Sequence, residues 1–170
     1  MEQRGYTMKP RFVVVMLLVL ALAVPASMLA QGSKSSPPNT PEAKRVKSMV
    51  DKAAALVNKK GTAAFPEFRK QGSEWYSGDL YLFAYDPKLN VLLNPAFPER
   101  EGKSMAGQED SKGKKFHDEF LKVVQTNGSG WVDYWFPRPG NTGLFQKWSY
   151  VKAIKVDGGI GVIGSGFYPQ

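Results

Sequence analysis

"GGIGVIGSGFYPQ", residues 158–170, closes the chain and invites two incompatible readings. Gly159, Gly161 and Gly164 carry the spacing of a dinucleotide-binding fingerprint. That fingerprint works only where a strand enters a tight glycine turn and a helix leaves it, with an acidic residue about 20 positions further on. Six residues follow Gly164, too few for the helix, the acid and the next strand. The surviving reading is a β-strand, in which Ile160, Val162 and Ile163 supply apolar side chains and the glycines permit close backbone approach.

The same two-residue period extends backwards from this strand. Asp157 and Gly158 are a hairpin turn, and "LFQKWSYVKAIKV" (144–156) is the partner strand before it. "WVDYWF" (131–136) is a further strand, separated by "PRPGNTG". Upstream, "DLYLFAYD" (79–86) places Leu80, Leu82 and Ala84 on one face and Tyr81, Phe83 and Tyr85 on the other, so both faces are covered. A turn through Asp86, Pro87, Lys88, Leu89 and Asn90 leads into "VLLNP" (91–95) as a hairpin. Five strands result.

Helical periods frame them. Thr40 is an N-cap with Pro41 at the first helical position, and Val46, Met49, Val50, Ala53, Leu56 and Val57 recur at helical spacing until Gly61. A shorter helical piece follows around 63–70. Between the second and third strands, Gly113 or Lys114 to Gln125 forms a helix with Phe116, Phe120, Leu121 and Val124 on its apolar side. The order predicts an α+β domain, a long N-terminal helix packed on a five-stranded antiparallel sheet.

The chain has 170 residues and a net charge of +8. Residues 1–11 carry three basic residues and one acid, followed by the uncharged run "FVVVMLLVLALAV" (12–24) and Pro25, as in an export leader. Cleavage is expected, with periplasmic or secreted location. The alternative is an inner-membrane tether formed by residues 12–30. Removing residues 1–30 takes away three positive charges and one negative, leaving +6. "QGSKSSPPNT" (31–40) reads as a linker and 41–170 as one domain. The absence of cysteine excludes disulfides, Cys-based zinc sites and c-type haem. The basic residues are interleaved with acids rather than clustered, so no nucleic-acid partner is expected.

The order and wording of these strands resemble the single Cache domain of type 2, a PAS-like family of extracellular sensors. The resemblance rests on "GDLYLFAYDPKLNVLLNP" (78–95), Gly102-Lys103 before "EDSKGKKF" (109–116), "GWVDYWFPRP" (130–139), "KWSYVK" (147–152) and "GVIGSGFY" (161–168). It implies a non-enzymatic domain, without cofactor, that binds a small organic ligand, often a short carboxylate, on one face of the sheet. One departure is Asn94 before Pro95, where the family commonly has histidine. In transmembrane receptors the last strand runs on into a membrane helix and a signalling domain, whereas this chain stops at Gln170. A separate membrane or periplasmic partner is therefore expected to read the ligand, at an exposed Phe167–Tyr168 end.

A carboxylate site needs a cation and donors in a partly apolar setting. The expected set is Lys147 as counter-charge with Tyr134, Tyr150 and Asn94 as donors, beside Tyr81 and Phe83. His117, between Lys115 and Asp118, reads as a surface residue rather than a metal ligand. Glu109 and Asp110 are sequence neighbours in a loop and do not face one another as an acid and base pair must. The rival binding function is a carbohydrate or envelope-polymer module with Trp75, Trp131, Trp135 and Trp148 exposed as a stacking platform.

Overall fold

The computed structural model describes Met1 and residues 39–169. The leader, and the linker up to residue 38, lie outside the described residues. Helix α1 spans Pro41–Lys60. Thr40 caps it by accepting from the Ala43 N–H at 3.3 Å, and Gly61, at φ 63°, ends it by donating to the Val57 carbonyl. Its buried stripe, Ala43, Val46, Met49, Val50, Ala53, Ala54 and Val57, repeats at three and four residues. After a 3₁₀ turn over Gly61–Ala64, α2 is one turn, Phe65–Phe68, opened by Pro66.

The strands are β1 (Tyr76–Ser77), β2 (Leu80–Tyr85), β3 (Val91–Leu93), β4 (Ser129–Pro137), β5 (Leu144–Val156) and β6 (Gly159–Phe167). They form one antiparallel sheet in the order β1-β2-β6-β5-β4, with β3 also paired to β2. The sixth strand, β1, is two residues long, too short for any periodic signal. Helix α3 spans Phe116–Asn127 and ends at Gly128, φ 74°. It starts later than expected because Asp110 accepts from the Lys112, Lys114 and Trp135 N–H groups, holding residues 110–114 in a turn.

Two apolar layers sandwich the sheet. On one face α1 covers Leu80, Leu82, Ala84, Trp148, Tyr150, Ile154 and Ile163. Asp51 pins this layer to Lys152 at 2.6 Å, and Asn58 accepts from the Lys155 N–H at 2.8 Å. On the other, α3 and the loops around 86–105 cover Tyr81, Phe83, Tyr85, Val132, Tyr134, Phe136, Val151 and Val162. All six residues of β2 are buried, as its two apolar faces require.

The glycines of β6 explain the fingerprint-like spacing. A methyl group on Gly164 would stand 2.6 Å from the Phe83 ring, and one on Gly161 would collide with the Tyr85 carbonyl oxygen and lie 2.8 Å from a Val156 methyl. The missing side chains make room for neighbouring strands.

Candidate functional site

Strand parity decides what the site can contain. Lys147 and Ser149 share the face of β5 that looks towards α3, while Trp148 and Tyr150 look towards α1. Register places Lys147 directly opposite Tyr134 on β4. The Lys147 side chain is fully buried. Its ammonium donates to the Tyr81 hydroxyl at 2.9 Å and stands 4.1 Å from the centre of that ring. The rings of Tyr168 and Phe136 complete the enclosure at 5.0 and 5.4 Å.

This surrounding is poor in negative charge. The acid that acts on Lys147 is Asp79, but Asp79 is itself paired with the Arg138 guanidinium at 2.7 Å. Burial disfavours the charged form and pushes the Lys147 ammonium down to about 7, with Asp79 resisting. Around it the phenols are held in their neutral form. Burial raises both Tyr81 and Tyr134 well above the usual tyrosine value.

The other expected members separate into three groups. Tyr134 is close: its hydroxyl shares a 2.9 Å hydrogen bond with Ser149 Oγ, and its ring stacks on Phe116 at 4.0 Å. Phe83 lies in the same layer but stacks on Phe120 at 5.4 Å, as part of the packing beneath α3. Asn94 is buried, with its side-chain oxygen accepting from the Phe97 N–H and its own N–H donating to Glu101 Oε1. It therefore shapes the loop that brings Phe97 against Tyr81, with the rings 6.0 Å apart.

Tyr150 is a correction. Three residues from Lys147, it must point to the opposite face, where its ring lies under Lys47 at 5.1 Å and its hydroxyl donates to Ser129. Phe167 and Tyr168 are a second correction, since both are buried rather than presented at the surface. The Tyr168 hydroxyl donates to the Pro137 carbonyl at 2.6 Å. His117 is a third: it is 1% exposed, on the apolar stripe of α3 with Phe120 and Val124.

Sequence reasoning passed over Phe136, Ser149 and Tyr168 as neighbours of Lys147. Parity along β4 and β5 carried the signal for the first two. Tyr168 also lines a cleft of about 480 Å³ with Asp79, Arg138, Thr40 and Glu42, so one ring belongs both to that cleft and to the enclosure of Lys147. Trp148 is 5% exposed beneath α1, and Trp131 packs against the same layer, so the tryptophans do not form an open stacking platform. Among the described residues no cluster of three acidic or histidine side chains could hold a metal, and no helix is long and apolar enough to cross a membrane.

An antiparallel sheet with a long N-terminal helix on one face is the architecture of PAS-like Cache domains. The family model described as Cache domain (dCache_2) matches residues 68–170, and the chain belongs to this family. A solved periplasmic sensor domain of a chemotaxis protein aligns with a TM-score of 0.63 at 28% identity, covering 76% of this chain and 95% of the other. A Cache chemosensory domain studied for carboxylic acid recognition aligns at 0.63 and 24% identity, covering 75% and 93%, and shows the shared fold. The methyl-accepting chemotaxis protein McpP of Pseudomonas putida is 29% identical over 93 residues. That match spans 55% of this chain and 17% of the receptor.

Proposed function

We propose that this domain is a non-enzymatic extracytoplasmic sensor that binds a short organic acid with its carboxylate on Lys147. The observation that carries this reading is a fully buried ammonium enclosed by aromatic rings, with the neighbouring acid already paired to Arg138. Such a cation is costly to hold, and a carboxylate ligand would supply the missing counter-charge. Tyr81 and the Tyr134–Ser149 pair offer hydroxyls beside it, and Phe136 offers an apolar wall. The cleft lined by Tyr168, whose ring also borders Lys147, supports entry from that side. The kinship with periplasmic and chemotaxis sensor domains supports a location outside the cytoplasm and a role in signal transduction.

Occupancy is then relayed through the buried Tyr168 to a membrane or periplasmic signalling partner. Tyr168 supports this route, because it touches both the Lys147 enclosure and the carbonyl of Pro137 at the end of β4. The test is a thermal-shift and calorimetric screen of short acids beside their uncharged amides. Acids stabilise the protein and amides do not. An acid present at about 100 times its dissociation constant adds about 2.7 kcal/mol. Lys147→Met weakens the best acid by about 2 to 5 kcal/mol. Equal response to acid and amide, or unchanged affinity in Lys147→Met, removes Lys147 from the site.

A further inference from the structure

Two turns at one end of the sheet decide what Lys147 can pair with. Ser77 and Leu80 are register partners, so Gly78 and Asp79 form the turn between β1 and β2, with Gly78 at φ 62°. Asp79 therefore stands two positions before Tyr81, whose hydroxyl accepts from the Lys147 ammonium. Arg138 follows Pro137, the last residue of β4, and opens a turn of its own. Pro139 stands in second place, Gly140 at φ 75° in third, and the Asn141 N–H donates to the Arg138 carbonyl at 3.0 Å, the pattern of a type II turn. From this stiff position the guanidinium donates to Asp79 Oδ2 twice, from Nε at 2.8 Å and from Nη2 at 2.7 Å. The same guanidinium lies 5.4 Å from the centre of the Tyr168 ring, and the Lys147 ammonium lies 5.0 Å from that centre.

We propose that Arg138 is a positioning residue of the Lys147 site: it keeps the Asp79 carboxylate at the cleft, so that the buried ammonium has no counter-charge from the protein. Two cations compete for one acid. The Arg138 and Asp79 side chains are 39% and 35% exposed, and a pair so exposed adds little to stability. Its effect lies in where the acid is held. Lys147 is fully buried and its attraction for a carboxylate is weakly screened, so an Asp79 released from Arg138 turns towards it. That acid is then an internal substitute for the carboxylate of a ligand. The consequence for ligand binding rests on the function proposed above, whereas the competition between the two cations does not.

Among the described residues no other group facing Lys147 can take this part. Tyr81 from β2, Tyr134 from β4 and Tyr168 beyond β6 are kept neutral by burial. Ser149, on the same strand as Lys147, carries no charge, and Arg100, against the Phe136 ring, is itself a cation. Glu42 lines the cleft from the exposed first turn of α1. Asp79 is the acid that acts on Lys147 against the effect of burial.

The test is an NMR titration of the full chain carrying ¹³C-labelled lysine, in a buffer free of carboxylates, with Lys147 identified by the signal that Lys147→Met lacks. No ligand is added, so a failed acid screen leaves the result readable. The wild-type midpoint is expected at about 7. Arg138→Gln raises it by at least about one pH unit, a tenfold gain in proton affinity. The rise disappears in Asp79→Asn/Arg138→Gln, which lacks the guanidinium charge and also the acid, and in Arg138→Lys, where a cation still holds Asp79. Asp79→Asn alone lowers the midpoint by at least about half a unit, an arm that stands even where Arg138→Gln misfolds. An unmoved midpoint in Arg138→Gln or in Asp79→Asn overturns the proposal. A rise that persists in the double variant also overturns it, because it reports lost repulsion between two cations and not a released acid.

Discussion

Replacing Lys147 by methionine should make the unliganded domain more stable while it costs the ligand. Methionine keeps nearly the length and volume of the lysine stem and removes the ammonium. The folded protein holds Lys147 at about 7 against an ordinary lysine value of 10.5. At about 1.4 kcal/mol for each unit, that difference is a penalty of about 5 kcal/mol. The sign follows from proton counting. Between the two values the unfolded chain keeps the proton and the folded one does not, so stability rises with pH across that interval. The penalty is fully present below about 7 and gone above 10.5. Urea unfolding of both proteins at pH 6 and at pH 10 reads the difference directly, because other titrating groups are common to both. Lys147→Met is expected to be more stable by about 3 to 5 kcal/mol at pH 6, with the gap closing at pH 10 to about 1 kcal/mol from packing alone. A pH-independent gap, or a variant less stable at pH 6, would refute the placement of an uncompensated cation in the core.

Two further expectations test the scaffold. Gly166→Ala puts a methyl group 2.8 Å from Lys147 Cε and against Ser149 Oγ, and should lower stability by about 1 to 3 kcal/mol in urea unfolding. Thr40→Ala removes the cap of α1 and should cost about 1 kcal/mol, with faster amide exchange in the first turn of the helix than in its middle.

Much of this architecture was legible because its signals are periodic. The β5–β6 hairpin announced itself through alternating residues and the Asp157-Gly158 turn, and the division of β2 into an aliphatic and an aromatic face matches the two layers. The misplaced residues fail for identifiable reasons. Tyr150 lies three residues from Lys147, and an odd separation along a strand puts side chains on opposite faces. His117 was hidden by its charged neighbours Lys115, Asp118 and Glu119, yet it stands three and seven residues before Phe120 and Val124, a helical stripe. The burial of Phe167 and Tyr168 was not legible at all. It depends on Trp131 and Phe145, which approach from other strands with ring centres 6.0 and 6.4 Å away. The pairing of Asp79 with Arg138 is likewise tertiary, since the turns that carry them lie 59 residues apart in the chain.

Gly166 has a consequence that reaches past packing density. The carbon stem of Lys147 passes through the volume a side chain at position 166 would occupy, so two neighbouring strands are meshed there like the teeth of a gear. Nothing in that contact is a hydrogen bond, and nothing in it depends on the chemical identity of what the ammonium holds. On the function proposed above, a ligand that displaces the Lys147 Nζ also shifts the stem lying against the backbone of β6, one residue before Phe167 and two before Tyr168. On that reading ligand length, and not ligand charge alone, is what reaches the end of the sheet.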